Sequence, residues 1–168
     1  RLDWVDPSDI LNGAVTRART AHPASNINPT VESPVILIHS DAALVEQALF
    51  NLLDNAAKFS PAGSPVAIRL QQDAERLNFV VDNQGPGIPA DKKSAIFEPF
   101  FITKAEGSGL GLWIVQQIIT AHGGAVLDGS LTGWESCEPV RFAAATNQSV
   151  EVRCLYDPEN LYLRWHVR

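Results

Sequence analysis

Gln47, Asn51, Asn55 and Lys58 stand at helical spacing in one segment. On a helix they would line a single face with three side-chain amides and an ammonium. Asparagine is a poor interior helix residue because its side chain competes for backbone hydrogen bonds, so two of them one turn apart require a reason. One reading is a solvated face. The other is chemical: an amide oxygen is a neutral ligand for Mg²⁺, and a lysine is a point charge for phosphate. Two glycine loops follow. Asn83-Gln84-Gly85-Pro86-Gly87 closes an alternating segment and by itself is ordinary turn chemistry. Gly107-Ser108-Gly109-Leu110-Gly111 opens an apolar helical segment, where backbone N–H groups can approach phosphate. Neither a P-loop nor a dinucleotide fingerprint is present: no Gly-Lys-Ser/Thr follows, and GxGxxG spacing is not met.

Periodicity predicts the elements that must hold these residues. A short extended lead enters a helix after Asp6-Pro7-Ser8-Asp9, with Ile10, Leu11, Ala14, Val15 and Ala18 on one face. Residues 20–34 read as loop with a short strand near 27–31, and 35–38 as a buried strand stopped by His39-Ser40-Asp41. Asp41 caps a long helix with Leu44, Val45, Ala48, Leu49, Leu52, Leu53 and Ala56 as its apolar set. Residues 66–72 and 77–81 alternate as a hairpin. A short helix over 90–97, a loop and a second long helix over 110–122 follow. The rest is strand-like, at 125–127, 140–145, 150–155 and 161–167. The expected fold is α+β: a two-layer α/β sandwich with helices on one face of a mixed, mostly antiparallel sheet.

Composition narrows the classes. The 168 residues include 19 acidic and 13 basic side chains, giving a net charge of -6, and 45% are hydrophobic. That suits one domain with a real core rather than a disordered chain. No apolar run reaches the ~18 residues of a membrane span, and no signal peptide is visible. The acidic balance argues against a nucleic-acid partner. Cys137 and Cys154, with no CxxC, exclude a disulfide framework and a cysteine zinc site. Methionine is absent and the chain starts at Arg1, so the sequence reads as a piece of something longer.

In their order, the motifs resemble those of the ATP-binding catalytic domain of bacterial sensor histidine kinases, in the Bergerat-fold superfamily with gyrase and MutL. Residues 46–58, EQALFNLLDNAAK, resemble the N box. Residues 81–89, VDNQGPGIP, resemble the G1 box. Residues 96–101, IFEPFF, resemble the F box, and 107–112, GSGLGL, the G2 box, continued by WIVQQIITAHGG. The resemblance implies that Asn55 holds Mg²⁺ and that Asn51 and Lys58 face the phosphates as catalytic groups. It implies that Gly85 and Gly87 turn beside the adenine, and that Gly107, Gly109 and Gly111, followed by Leu112, cradle the phosphates. Residues 98–108 would form a mobile lid with Lys104 as a second phosphate contact. Phe97 and Phe100 would be lid hinges packed on the core, or plain core aromatics. Phe59 would sit beside the adenine, or simply fill the core at a helix end.

One departure concerns the base. Where the family has an Asp that accepts from the adenine amino group, this chain has Asn83. Asp82 is one residue early and should point to the opposite face of its strand. An amide oxygen still accepts, without charge assistance, so ATP binding is expected to persist but weaken by about 1 kcal/mol. A second difference concerns water. The gyrase and MutL branches carry a glutamate base one turn before the magnesium ligand. Here that place is Asn51, which takes no proton, so fast hydrolysis is disfavoured.

The function implied is a protein-histidine kinase domain that binds Mg-ATP and gives the γ-phosphoryl group to a histidine on a dimerisation domain, with a response regulator downstream and a cytoplasmic setting. None of His22, His39, His122 and His166 carries an acceptor pattern, so the acceptor is expected before Arg1. Two alternatives stand: a degenerate nucleotide-binding or regulatory domain without phosphotransfer, favoured by Asn83, and an anti-sigma-type serine kinase. Residues 1–147 are expected to form the ATP-binding domain, and 148–168 an added C-terminal β-hairpin that extends the sheet or covers an edge.

Overall fold

Helix α1 (Pro7–Ala21) begins as its sequence predicts. Asp6 is the N-cap, its carboxylate accepting from the Ser8 N–H at 2.7 Å, and Pro7 occupies the first turn, where a missing N–H costs nothing. Helix α2 (Ala42–Phe59) is capped by Asp41, which accepts from the Leu44 N–H, and closes at Ser60. Helix α3 (Gly111–Ala121) follows the second glycine loop. The computed structural model describes residues 1–32, 35, 37–72, 76–86, 88–92, 95–102, 107–121, 125–126, 150–156 and 160–167.

Two sheets are formed among the described residues. Strands β1 (Asp3–Val5) and β3 (Ile38–Ser40) make a small antiparallel pair. The larger sheet joins β2 (Asn26–Val31), β4 (Pro65–Gln72), β5 (Arg76–Asp82), β6 (Ala125–Val126), β7 (Val150–Tyr156) and β8 (Asn160–Val167), in the order β2-β4-β5-β8-β7-β6. Its end pairs are parallel and its three inner pairs antiparallel. This is the mixed, mostly antiparallel sheet that the element order predicts. Pro29 lies in β2 at the sheet's edge, where a strand tolerates a missing donor.

One core joins the layers. Ile10, Leu11, Ala14, Val15 and Ala18 of α1 and Val45, Leu49, Leu52 and Leu53 of α2 pack with Val66, Ile68, Leu70, Phe79 and Val81 of the sheet. Val66, Ile68 and Leu70 show the two-residue period of a half-buried strand, each 0% exposed. Arg69, between them, faces the other way and holds Asp82 at 2.5 Å. Asp82 therefore belongs to the face away from the helices, as strand alternation requires.

Two expectations shift. The strand expected at 35–38 is instead Ile38–Ser40, because register with β1 selects those residues: Val5 opposes Ile38 and Asp3 opposes Ser40. Within the short helix expected over 90–97, the described residues form 3-10 turns at Ala90–Lys92 and Ala95–Phe97. The hairpin expected near the C-terminus, β7 with β8, joins the larger sheet. Its strand β8 sits between β5 and β7. The strand expected at 140–145 lies outside the described residues.

Candidate nucleotide site

The candidate site runs along the second half of α2, which meets the start of α3 at Asn51 and Asn55 and the loop after β5 at its C-terminal end. On α2 the amide ridge forms as its spacing predicts, but its members have different surroundings. Asn51 is buried, 8% exposed. Its Oδ1 accepts from Gln47 Nε2 at 2.9 Å, and its Nδ2 donates to the Gly111 carbonyl at 3.3 Å. Asn55, one turn later, is half-buried, and its Nδ2 lies 3.8 Å from where a Cβ on Gly111 would stand. Both asparagines therefore border the first residue of α3, across 60 and 56 residues of sequence.

Lys58 continues the ridge and is exposed. Its Nζ donates to Asp54 Oδ2 at 2.7 Å, and His22 Nε2 lies 2.7 Å from the other carboxylate oxygen. Asp54 thus bridges the C-cap of α1 to the lysine. Asp54 is absent from the residues that the motifs single out, although Asp54 and Lys58 stand at i and i+4, a spacing that pairs charges on a helix. His22 is half-buried at the C-cap of α1. His39, half-buried, stacks at a tilt on Trp4 with ring centroids 5.4 Å apart.

The first glycine loop leans against the end of α2. A Cβ on Gly85 would lie 3.1 Å from the Phe59 carbonyl oxygen and 2.7 Å from Asn83 Nδ2, so a side chain there would push the loop off the helix. Asn83 Nδ2 donates to Ser60 Oγ at 3.3 Å, and Ser60 Oγ donates to the Ala56 carbonyl at 2.6 Å. That chain of hydrogen bonds turns the amide nitrogen towards the helix. Phe59 is half-buried beside this junction. Gly87 lies outside the described residues.

The second loop is latched to the F box through its backbone. Phe100 N–H donates to the Gly109 carbonyl at 3.0 Å. Both residues are left-handed, φ 65° at Phe100 and 66° at Gly109. A Cβ on Gly109 would come within 2.5 Å of the Phe100 carbonyl carbon. This backbone geometry corrects one expectation. Phe97 is buried, but Phe100 is 71% exposed and does not pack on the core, because the left-handed turn aims its side chain away. Gly107 is exposed, and a Cβ there would meet nothing. Leu112 packs against the core. Lys104 lies outside the described residues.

Among the described residues no group of three or more His, Cys, Asp or Glu side chains gathers to hold a metal ion. A neutral amide oxygen such as that of Asn55 is a ligand type that suits a cation arriving with ligands of its own, as Mg²⁺ does with phosphates. No helix among the described residues is long and apolar enough to cross a membrane.

Comparison with known proteins agrees with this geometry. The family model for histidine kinase-, DNA gyrase B- and HSP90-like ATPases matches residues 40–153. A signal transduction histidine-protein kinase/phosphatase MprB of Mycolicibacterium smegmatis is 41% identical over 127 residues, which are 73% of this chain and 25% of that protein. The chain thus spans about a quarter of the length of the curated relatives it matches. Among solved structures, the mycobacterial sensor histidine kinase MprB superposes with a TM-score of 0.69 at 30% identity, covering 98% of this chain and 95% of that one. Full-length ShkA in complex with AMPPNP superposes with a TM-score of 0.66 at 27% identity, covering 98% of this chain and 30% of that one. With the boxes in order and Asn51, Asn55 and Gly111 gathered at one point, the chain belongs to the histidine kinase-, DNA gyrase B- and HSP90-like ATPase family.

Proposed function

We propose that this domain binds Mg-ATP between the end of α2, the loop after β5 and the start of α3, and donates the γ-phosphoryl group to a histidine on a dimerisation domain of the same protein. The observation that carries this reading is the meeting of the Asn55 amide with Gly111, which sets a side chain able to offer an oxygen ligand beside a helix N-terminus. The resemblance to MprB-type kinases supports two-component signalling, with a response regulator as the next acceptor and a cytoplasmic setting. In the transfer, a ring nitrogen of the acceptor histidine attacks the γ-phosphorus, the bond from phosphorus to the β–γ bridging oxygen breaks, and ADP leaves.

The residues of this chain act by holding and neutralising. Backbone N–H groups at the start of α3 face the phosphates. Lys58 supplies a positive charge there, restrained by Asp54. Asn55 offers its oxygen to Mg²⁺, which neutralises phosphate charge. Asn51 takes no proton, so water is not activated and the phosphoryl group is kept for the histidine.

The test uses the 168-residue chain with γ-labelled ATP and a dimerisation domain from an MprB-type kinase supplied in trans. Label on the histidine is expected, with little phosphate released to water. Clear ATP binding without transfer would favour a degenerate binding domain instead.

Asn83 gives an independent check on the adenine end. Its nitrogen is engaged by Ser60, so its oxygen is the end that meets an amino group. Asn83→Asp should tighten Mg-ATP binding several-fold, about 1 kcal/mol, because the acceptor becomes charged. Ser60 can then donate to the new carboxylate in place of receiving from Asn83. Calorimetric titration with Mg-ATP against Mg-GTP checks this: the gain should appear for ATP alone, since guanine carries no amino group at the equivalent position.

A further inference from the structure

Four groups from three helices form a continuous line of hydrogen bonds. Arg17 Nη1 on α1 donates to Gln47 Oε1 at 2.8 Å. Gln47 Nε2 donates to Asn51 Oδ1 at 2.9 Å, and Asn51 Nδ2 donates to the Gly111 carbonyl at 3.3 Å. Each amide in the line receives at its oxygen and gives at its nitrogen, so the direction of every bond is set by the one before it. The Arg17 guanidinium is itself fixed, 4.0 Å above the Phe50 ring. The end point is the first residue of α3, where the second glycine loop becomes a helix.

We propose that this line is a positioning tether: Arg17 and Gln47 act through Asn51 to fix the first turn of α3, and so the place at which the phosphates are held. This deepens the nucleotide-site reading and rests on it. Burial decides which links matter. The Arg17–Gln47 bond is exposed and is worth little alone. The links at Asn51 are part-buried, and a buried amide that loses a partner must turn or stay unsatisfied. If Asn51 turns, its oxygen faces the Gly111 carbonyl and the tether opens at α3. Arg17 and Gln47 therefore influence the phosphate end of the site without reaching it.

Gln47→Glu isolates this role. Glutamate keeps the size and strengthens the pairing with Arg17, but it has no N–H to give Asn51. A merely structural α1–α2 pair would be kept or improved. The tether predicts the opposite at a distance: Mg-ATP affinity of the 168-residue chain falls about three- to ten-fold, and amide hydrogen exchange quickens in the first turn of α3. The unliganded Tm should stay within about 2 °C of wild type, as for a half-exposed site. Combined with Asn51→Ala, Gln47→Glu should add nothing further, because the line is already cut.

Unchanged exchange at 111–115 in Gln47→Glu would overturn the tether, as would a Gln47→Glu effect that persists in full with Asn51→Ala. Failure of the wild-type chain to bind Mg-ATP would overturn the nucleotide reading instead. The exchange measurement would still decide the tether.

Discussion

Gly109→Ala will weaken Mg-ATP binding by about 30- to 150-fold while leaving the core folded. Two costs add. Alanine at φ 66° is disfavoured by roughly 1–2 kcal/mol, because Cβ crowds the following carbonyl. The new Cβ would also stand 2.5 Å from the Phe100 carbonyl carbon. That neighbour is backbone rather than the tip of a flexible side chain, so the two segments must separate. Separation breaks the Phe100–Gly109 hydrogen bond, worth about 1 kcal/mol. The sum of about 2–3 kcal/mol falls on the arrangement of the loop rather than on the hydrophobic core, and corresponds to the stated loss of affinity. Calorimetry with Mg-ATP, paired with thermal unfolding of the unliganded chain, checks this. Affinity within three-fold of wild type would show that the latch plays no part in binding.

Asn55→Ala should have an effect of similar size by a different route. Asn55 is half-buried in α2, and alanine is the better helix former, so stability should hold or rise by a few tenths of a kcal/mol. The loss lies in the ligand. Asn55 would hold Mg²⁺ through its amide oxygen, so without that ligand binding of Mg-ATP should fall roughly 10- to 100-fold. Measuring ATP affinity with Mg²⁺ and again with a chelator makes the result specific. The wild-type chain should depend strongly on the metal, and the variant hardly at all. An unaltered metal dependence in Asn55→Ala would remove this residue from the cation's ligands.

Much of the fold and site was legible because local rules dominate there. The spacing of Asn51, Asn55 and Lys58 identifies one face of α2, since a helix has a single period. The glycines of the second loop mark the start of α3 for the same local reason. What escaped depends on contacts distant in sequence. The bond from Asn51 Nδ2 to the Gly111 carbonyl joins residues 60 apart, a partner that no spacing rule predicts. Phe100 sits in the apolar run IFEPFF and reads as core, but its backbone turns left-handed against Gly109 and exposes the ring. Strand β3 began three residues later than its apolar run suggested, because pairing with β1 outweighed hydrophobicity. The 148–168 segment alternates clearly as a hairpin, but alternation says nothing about which neighbour a strand will choose.

That last choice sets an order of events during synthesis. Strand β5, which leads into Asn83, has β4 on one side and β8 on the other. Residues 160–167 leave the ribosome some 80 residues after β5 does. Until then one side of β5 lacks its final partner, and an unpaired strand edge invites pairing with another chain. Closing so long a loop also slows folding. The nascent chain therefore carries its nucleotide loops well before it owns the sheet that steadies them, and shielding by a chaperone would matter most in that interval.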